Sequence, residues 1–370
     1  MSDSGDMLKN FKNSLSGALA LALLLILSPC LHAAEGNPSV EGLQKLVDEV
    51  GEMAEQTALG DNAAAMAGAR DEAAAAMEAG RLHLALDSLV MPLELGAGLI
   101  YQAAMTEKIQ DQAAFEAEWR TQATLVSEEE RKAATVSCPG APAHVRAVAE
   151  RALNRSSHYY DAALAMAKVT EPANGLFYLG RARSQFDLQR ICESLATKGS
   201  LESPRVRALT DELQALELRT AEEYAKPGAG TEKHAQFIVL NASIKEVLEM
   251  NEGGLYHGAL YEYLDATRQL GMLNGEPPDD RQALLEKATA HARRFQEDGT
   301  DHGIVLAFLE RALSDLENDE AETDALATAA VIVEDVAPAY AAVVGTMAKR
   351  PQPEVAADQV AITLVRWPYT

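Results

Sequence analysis

Residues 253–273 read GGLYHGALYEYLDATRQLGML. Leu255, Ala259, Ala266 and Leu270 recur at intervals of four, seven and four residues, which lines them up along one side of an α-helix. His257, Tyr261, Asp265 and Arg268 follow at i, i+4, i+8 and i+11, so a polar and aromatic row runs beside the apolar one. The apolar row is expected to face a core made of other helices. The polar row has two readings. It is a groove wall, with His257 as a titratable donor, Tyr261 as a stacking surface and Arg268 as an anion contact, or it is a solvated face carrying an Asp265–Arg268 pair.

The same pattern continues in both directions. Helical spacing, strong helix formers and breaks at Gly, Pro or a capping residue place helices at about 39–58, 61–79, 81–105, 107–135, 142–169, 172–197, 204–225, 231–251, 253–273, 280–297, 302–318 and 320–349. Ser203-Pro204 reads as an N-cap with proline in the first turn, and Asp279 or Asp280 as the cap after Pro277-Pro278. Joints are expected at Cys138-Pro139-Gly140-Ala141-Pro142, at 227–230 and at 274–278. Connections this short make successive helices antiparallel hairpins. The fold class is therefore all-α, an antiparallel α-hairpin array or large helical bundle of about a dozen helices. It divides into an export signal (1–34), an N-terminal helical region (35–137), a main hairpin region (138–349) and a short extended tail (350–370).

Composition agrees with close helix packing. The chain has 370 residues, 48% of them hydrophobic, with only 2 Trp, 10 Tyr and 7 Phe. Alanine supplies much of the apolar surface, which suits helices that touch through small side chains. With 32 Lys and Arg against 56 Asp and Glu, the formal charge is −24. Nucleic acid and anionic lipid both require a cationic field, so neither is an expected partner.

The N-terminus reads as an export signal. Lys9 and Lys12 form a basic region, Ala18 to Leu27 an apolar run, and Ala33-Ala34 a small-residue end. The run is about half of the ~20 residues a membrane span needs, so cleavage, with no remaining transmembrane span, is expected in the bacterial periplasm. Pro29 directly before Cys30 disfavours a lipid anchor at Cys30. After cleavage Cys138 and Cys192 remain, and in an oxidising compartment they either close a disulfide or stay as two buried thiols.

Motif searches give no catalytic signature. The chain contains no Gly-x-Ser-x-Gly, Gly-Lys-Ser/Thr phosphate loop, His-Glu-x-x-His or Cys-x-x-Cys, so neither a cofactor nor a metal site is expected. A second polar cluster lies on 172–197, where Tyr178, Arg181 and Gln185 sit at i, i+3 and i+7 in a chain poor in cations. It suits an anionic ligand or a structural ion pair with a neighbouring helix, the latter being the commoner use. His158-Tyr159-Tyr160-Asp161 points to several sides of a helix, so core tyrosines with satisfied hydroxyls are expected there. Gly98-Leu99-Ile100-Tyr101, Gly175-Leu176-Phe177-Tyr178 and Gly254-Leu255-Tyr256-His257 start 77 and 79 residues apart, a spacing that would hold four helices per repeat. Leu179-Gly180 matches a fragment of the tetratricopeptide pattern, but the remaining offsets do not follow.

From these features the expected function is a non-catalytic, exported scaffold that presents helix faces to an envelope protein. The alternative is a periplasmic module for a small, anionic ligand, with a pocket between Tyr178, Arg181 and Gln185 on one side and His257, Tyr261 and Arg268 on the other. A hydrolase or lyase using His257 as base ranks third.

Overall fold

The computed structural model describes residues 36–135, 141–195 and 201–347. These residues form one compact unit of thirteen helices, and none of them lies in a β-strand. In chain order they are α1 (Val40–Ala54), α2 (Asn62–Glu78), α3 (Leu82–Thr106), α4 (Gln112–Thr135), α5 (Ala143–Val169), α6 (Pro172–Leu195), α7 (Thr210–Tyr224), the single-turn α8 (Ala229–Glu232), α9 (His234–Glu252), α10 (Tyr256–Met272), α11 (Arg281–Glu297), α12 (Gly303–Glu317) and α13 (Thr323–Met347). The last contains one π-helical turn at Ile332–Val336. The all-α expectation is met. The extended tail at 350–370, the signal segment, Cys30 and Cys138 lie outside the described residues, as does the Cys192 side chain.

Sequential helices pack as pairs at both ends of the chain, α1 on α2, α2 on α3, α9 on α10 and α11 on α12. The middle is a bundle. There α6 lies along both α5 and α3, and α4 packs on α5 and α6. The buried apolar side chains form three clusters, and α5 supplies residues to each: Ala143 and Ala147 to the largest, Val145, Val148 and Ala152 to the second, Ala163 and Ala167 to the third. A helix packed against several neighbours favours small residues on its buried sides, because neighbouring axes approach within 8–10 Å. That accounts for the alanine content of 143–169.

Close approach is most constrained where α3 crosses α6. A Cβ on Gly180 would lie 2.6 Å from Tyr101 Cβ and 2.9 Å from both the Ala97 carbonyl and Gly98 Cα. Leu179-Gly180 thus serves a helix crossing specific to this bundle. The three Gly-Leu motifs also occupy unlike places: Gly98 is inside α3, Gly175 is in the first turn of α6, and Gly254 has φ +74° in the turn before α10. They do not mark a structural repeat.

Side-chain caps start two of the helices, and the one at Asp280 is where the sequence suggests. The Ser39 hydroxyl accepts from Gly42 N–H at 3.3 Å, and the Asp280 carboxylate accepts from Ala283 N–H at 3.0 Å. The Ser203-Pro204 start is corrected. Residues 203–209 are not helical, the Glu202 carbonyl accepts from Asp301 N–H at 3.0 Å, and α7 begins only at Thr210. Tertiary bonding to the turn before α12 outweighs the local preference. Helices α3 and α13 are each long and apolar enough to cross a membrane, but half of each apolar window is buried within the bundle.

Candidate functional site

Helices α3, α5 and α10 start behind Arg81, Pro142 and Leu255, and none of the three supplies a side-chain cap of its own. Their free first-turn N–H groups are met from elsewhere in the chain. Glu310 of α12 accepts from Leu84 N–H at 2.8 Å, Asp301 accepts from Ala143 N–H at 2.6 Å, and Glu150 of α5 accepts from Gly258 N–H at 2.8 Å. A carboxyl oxygen at a helix N-terminus accepts an N–H that the helix itself leaves unmet, and the helix dipole favours any negative charge it carries. These three contacts draw α3, α5, α10 and α12 to one interior junction.

At that junction His83 and His144, both fully buried, face each other with their Nδ1 atoms 3.2 Å apart. His144 Nε2 lies 2.9 Å from Asp87 Oδ1, and Tyr261 donates its hydroxyl to Asp87 Oδ2 at 2.8 Å. The Tyr261 ring stacks on His144 at 5.9 Å between centroids, with the Arg151 guanidinium 4.0 Å from its own. Arg151 Nε donates to Glu262 at 2.6 Å, and Arg155 reaches both Glu262 (3.1 Å) and Glu94 (3.5 Å). Glu94 in turn accepts from Arg181 at 3.0 Å and from the Tyr159 hydroxyl at 2.9 Å. One chain of alternating charge therefore runs from His83 to Arg181 through α3, α5, α10 and α6.

Charge states follow from these contacts. Burial pushes the Asp87 carboxyl up, but His144, Arg151 and the Tyr261 hydroxyl outweigh it and hold Asp87 below the usual range. Burial, reinforced by Asp87, raises the Tyr261 hydroxyl well above its normal value. Burial and then His144 lower His83 well below the ordinary histidine value. Burial takes Glu310 up to about 8, against the pull of its backbone donors.

The two polar rows singled out in the sequence are thus joined, but not across an open pocket. Tyr261 is buried, so its row is neither a solvated face nor a groove wall at that point. Arg181 forms the structural ion pair, with its guanidinium 4.1 Å from the Tyr159 ring centroid. Tyr178 is part of an aromatic group with Phe177 and Tyr159. Gln185 is buried and spends its amide on the Arg181 carbonyl and Ser184. His257 Nδ1 lies 3.2 Å from Glu150, with Nε2 buried and unpartnered. Arg268 pairs with Asp265 at 2.8 Å, as its spacing suggests. In 158–161, His158 meets Glu249, Tyr159 meets Glu94 and Tyr160 donates to the Trp119 carbonyl, three separate destinations. Among the described residues no three His, Cys, Asp or Glu side chains gather as metal ligands.

No protein-family model matches the chain, and neither a characterised protein nor a solved structure resembles it significantly. Between α7 and α9 runs an open groove of about 370 Å³, lined by Glu217, Thr220, Ala221, Tyr224, His234, Phe237, Asn241 and Ile244. Leu218 (60% exposed), Tyr224 (49%), Ile238 (57%) and Val239 (56%) stand on the same two helices. Leu218 lies three residues from Ala221 and Ile238 four from His234, so each continues the adjoining wall outward. The sequence reading missed this face. Its signal was the consecutive Phe237-Ile238-Val239-Leu240, more apolar surface than one side of a helix can bury.

Proposed function

We propose that this chain is an exported, non-catalytic α-helical scaffold that binds partner proteins of the cell envelope through its α7–α9 face. The observation that carries this is the concentration of large exposed apolar side chains on the two helices that flank one groove. Of the eight large hydrophobics that stand exposed among the described residues, Leu218, Tyr224, Ile238, Val239 and Leu248 all lie on α7 and α9. Scattered exposed hydrophobics need no explanation, whereas a contiguous apolar face rimmed by polar residues marks an interaction site. Support for export comes from the Lys9/Lys12 region followed by the apolar run and Ala33-Ala34. The interior polar residues support the non-catalytic part, because Asp87, His144, Tyr261, Asp301 and Glu310 are spent on one another and on helix starts.

Site-specific photo-crosslinking in the source cell tests the reading. A photoreactive residue replacing Ile238 is expected to give a discrete adduct, and one replacing Thr289 on the solvent side of α11 is expected to give none. The 238 adduct should disappear in a Leu218→Glu background. Equal labelling from both positions, or none from 238, would remove this reading.

A further inference from the structure

We propose that the α7–α9 groove takes one occupant, a cationic amphipathic α-helix of a partner protein, with its apolar side chains on the exposed Tyr224 and Ile238 and its lysines or arginines toward Glu217. The inference deepens the scaffold reading and rests on it.

Shape favours a helix. The α7 wall is Glu217, Thr220, Ala221 and Tyr224, at i, i+3, i+4 and i+7, and the α9 wall is His234, Phe237, Asn241 and Ile244, at i, i+3, i+7 and i+10. At 1.5 Å per residue these rows run ~10 and ~15 Å, which accepts the i, i+3/i+4, i+7 anchors of a helix about three turns long. A peptide that binds by strand addition would need a free sheet edge, and the described residues contain no strand. The aromatic floor is held in advance: Tyr224 and Phe237 meet edge to face at 5.1 Å, and a Cβ on Gly230 would come within 3.0 Å of the Tyr224 ring. A wall already fixed in place loses less freedom on binding.

Charge selects the partner's sign. Helices α7 and α9 carry eight carboxylates, Asp211, Glu212, Glu217, Glu222, Glu223, Glu246, Glu249 and Glu252, against two cations, Arg219 and Lys245. Several of these acids are committed within the fold, Glu223 to Lys226 and Asn274, Glu246 to Arg155, Glu249 to His158. Glu217, in the groove wall, and Glu222 have no ion-pair partner among the described residues. An acidic helix would meet uncompensated repulsion there, and a cationic one would be drawn in faster and held in register.

The test uses the full chain and a fluorescein-labelled peptide of about fourteen residues, with Leu at helical i, i+3/i+4, i+7 spacing and Lys elsewhere. A second peptide replaces each Lys by Glu. Fluorescence anisotropy should show binding of the cationic peptide alone, weakened about tenfold by Ile238→Glu and severalfold by either Glu217→Lys or added salt. Both substitutions fall on exposed positions, and unchanged Tm confirms intact folding. Equal affinity for the acidic peptide, or binding indifferent to both variants, would overturn the proposal. So would a dimer of the full chain, seen by analytical ultracentrifugation, that Ile238→Glu dissociates, since a second copy would then be the occupant. Absence of peptide binding with the position-238 crosslink intact overturns this proposal and leaves the scaffold reading standing; loss of both removes both.

Discussion

Glu310 is buried under the N-terminus of α3, and its carboxyl is raised by that burial from its ordinary 4.5 to about 8. A group whose pKa is higher in the folded than in the unfolded chain contributes stability that is complete below the unfolded value and lost as pH rises through the folded one. Stability attributable to Glu310 should therefore fall between about pH 4.5 and 8, by at most ~1.4 kcal/mol per pH unit. Glu310→Gln keeps the neutral shape and removes the titration. Its Tm should match the parent near pH 5 and exceed it at pH 8, and equal Tm at both values would refute the assignment. His83 acts in the opposite direction. Its folded pKa is depressed, so its contribution is complete above the unfolded histidine value of about 6.5 and fades as pH falls below it. Burial is the main reason and the contact with His144 adds to it, since two Nδ1 atoms 3.2 Å apart share one proton but cannot both carry one. The groups around His83 are Asp87 on its own helix, His144 of α5, and Gly303 and Glu310 of α12. Between pH 7.5 and 5, Tm of His83→Asn should fall less than that of the parent. A parallel fall in both would assign the acid sensitivity elsewhere.

At the scale of elements, glycines separate packing from propensity. Gly180 meets backbone and Cβ atoms of α3 that cannot retreat, so Gly180→Ala should cost ~1–3 kcal/mol by overpacking despite alanine's better helix propensity. Gly68 in α2 has nothing within 4 Å of its would-be Cβ, and Gly68→Ala should stabilise by up to ~1 kcal/mol. Chemical denaturation of the two variants checks both signs. Helix positions and their apolar sides were legible in the sequence, because periodicity belongs to one segment at a time. The polar faces were legible in the same way, though unread: His83, Asp87 and Glu94 fall at i, i+4 and i+11 in α3, and His144, Arg151, Arg155 and Tyr159 at i, i+7, i+11 and i+15 in α5. Isolated charges inside apolar helices demand partners. Which helix supplies the partner is set by tertiary crossing, which spacing along one helix does not encode. For the same reason the caps on α3, α5 and α10 were invisible, since their donors and acceptors lie up to 226 residues apart, and Ser203-Pro204 looked like a start that tertiary bonding moved to Thr210.

For the whole molecule, the polar residues divide into two populations with different duties. The interior chain from His83 to Arg181 fixes which helix crosses which, because stripping one partner from a buried pair leaves an uncompensated charge at a cost of ~3–5 kcal/mol. The α7–α9 face, acidic and apolar together, is the one proposed above for association. The central claim is that these duties are separate, and the affinity of the labelled cationic peptide for two variants of the full chain tests it most directly. Arg181→Ala should melt at a lower temperature yet bind the peptide as the parent does, while Ile238→Glu should melt as the parent does and bind about tenfold more weakly. Lost binding in folded Arg181→Ala with intact binding in Ile238→Glu would contradict the account.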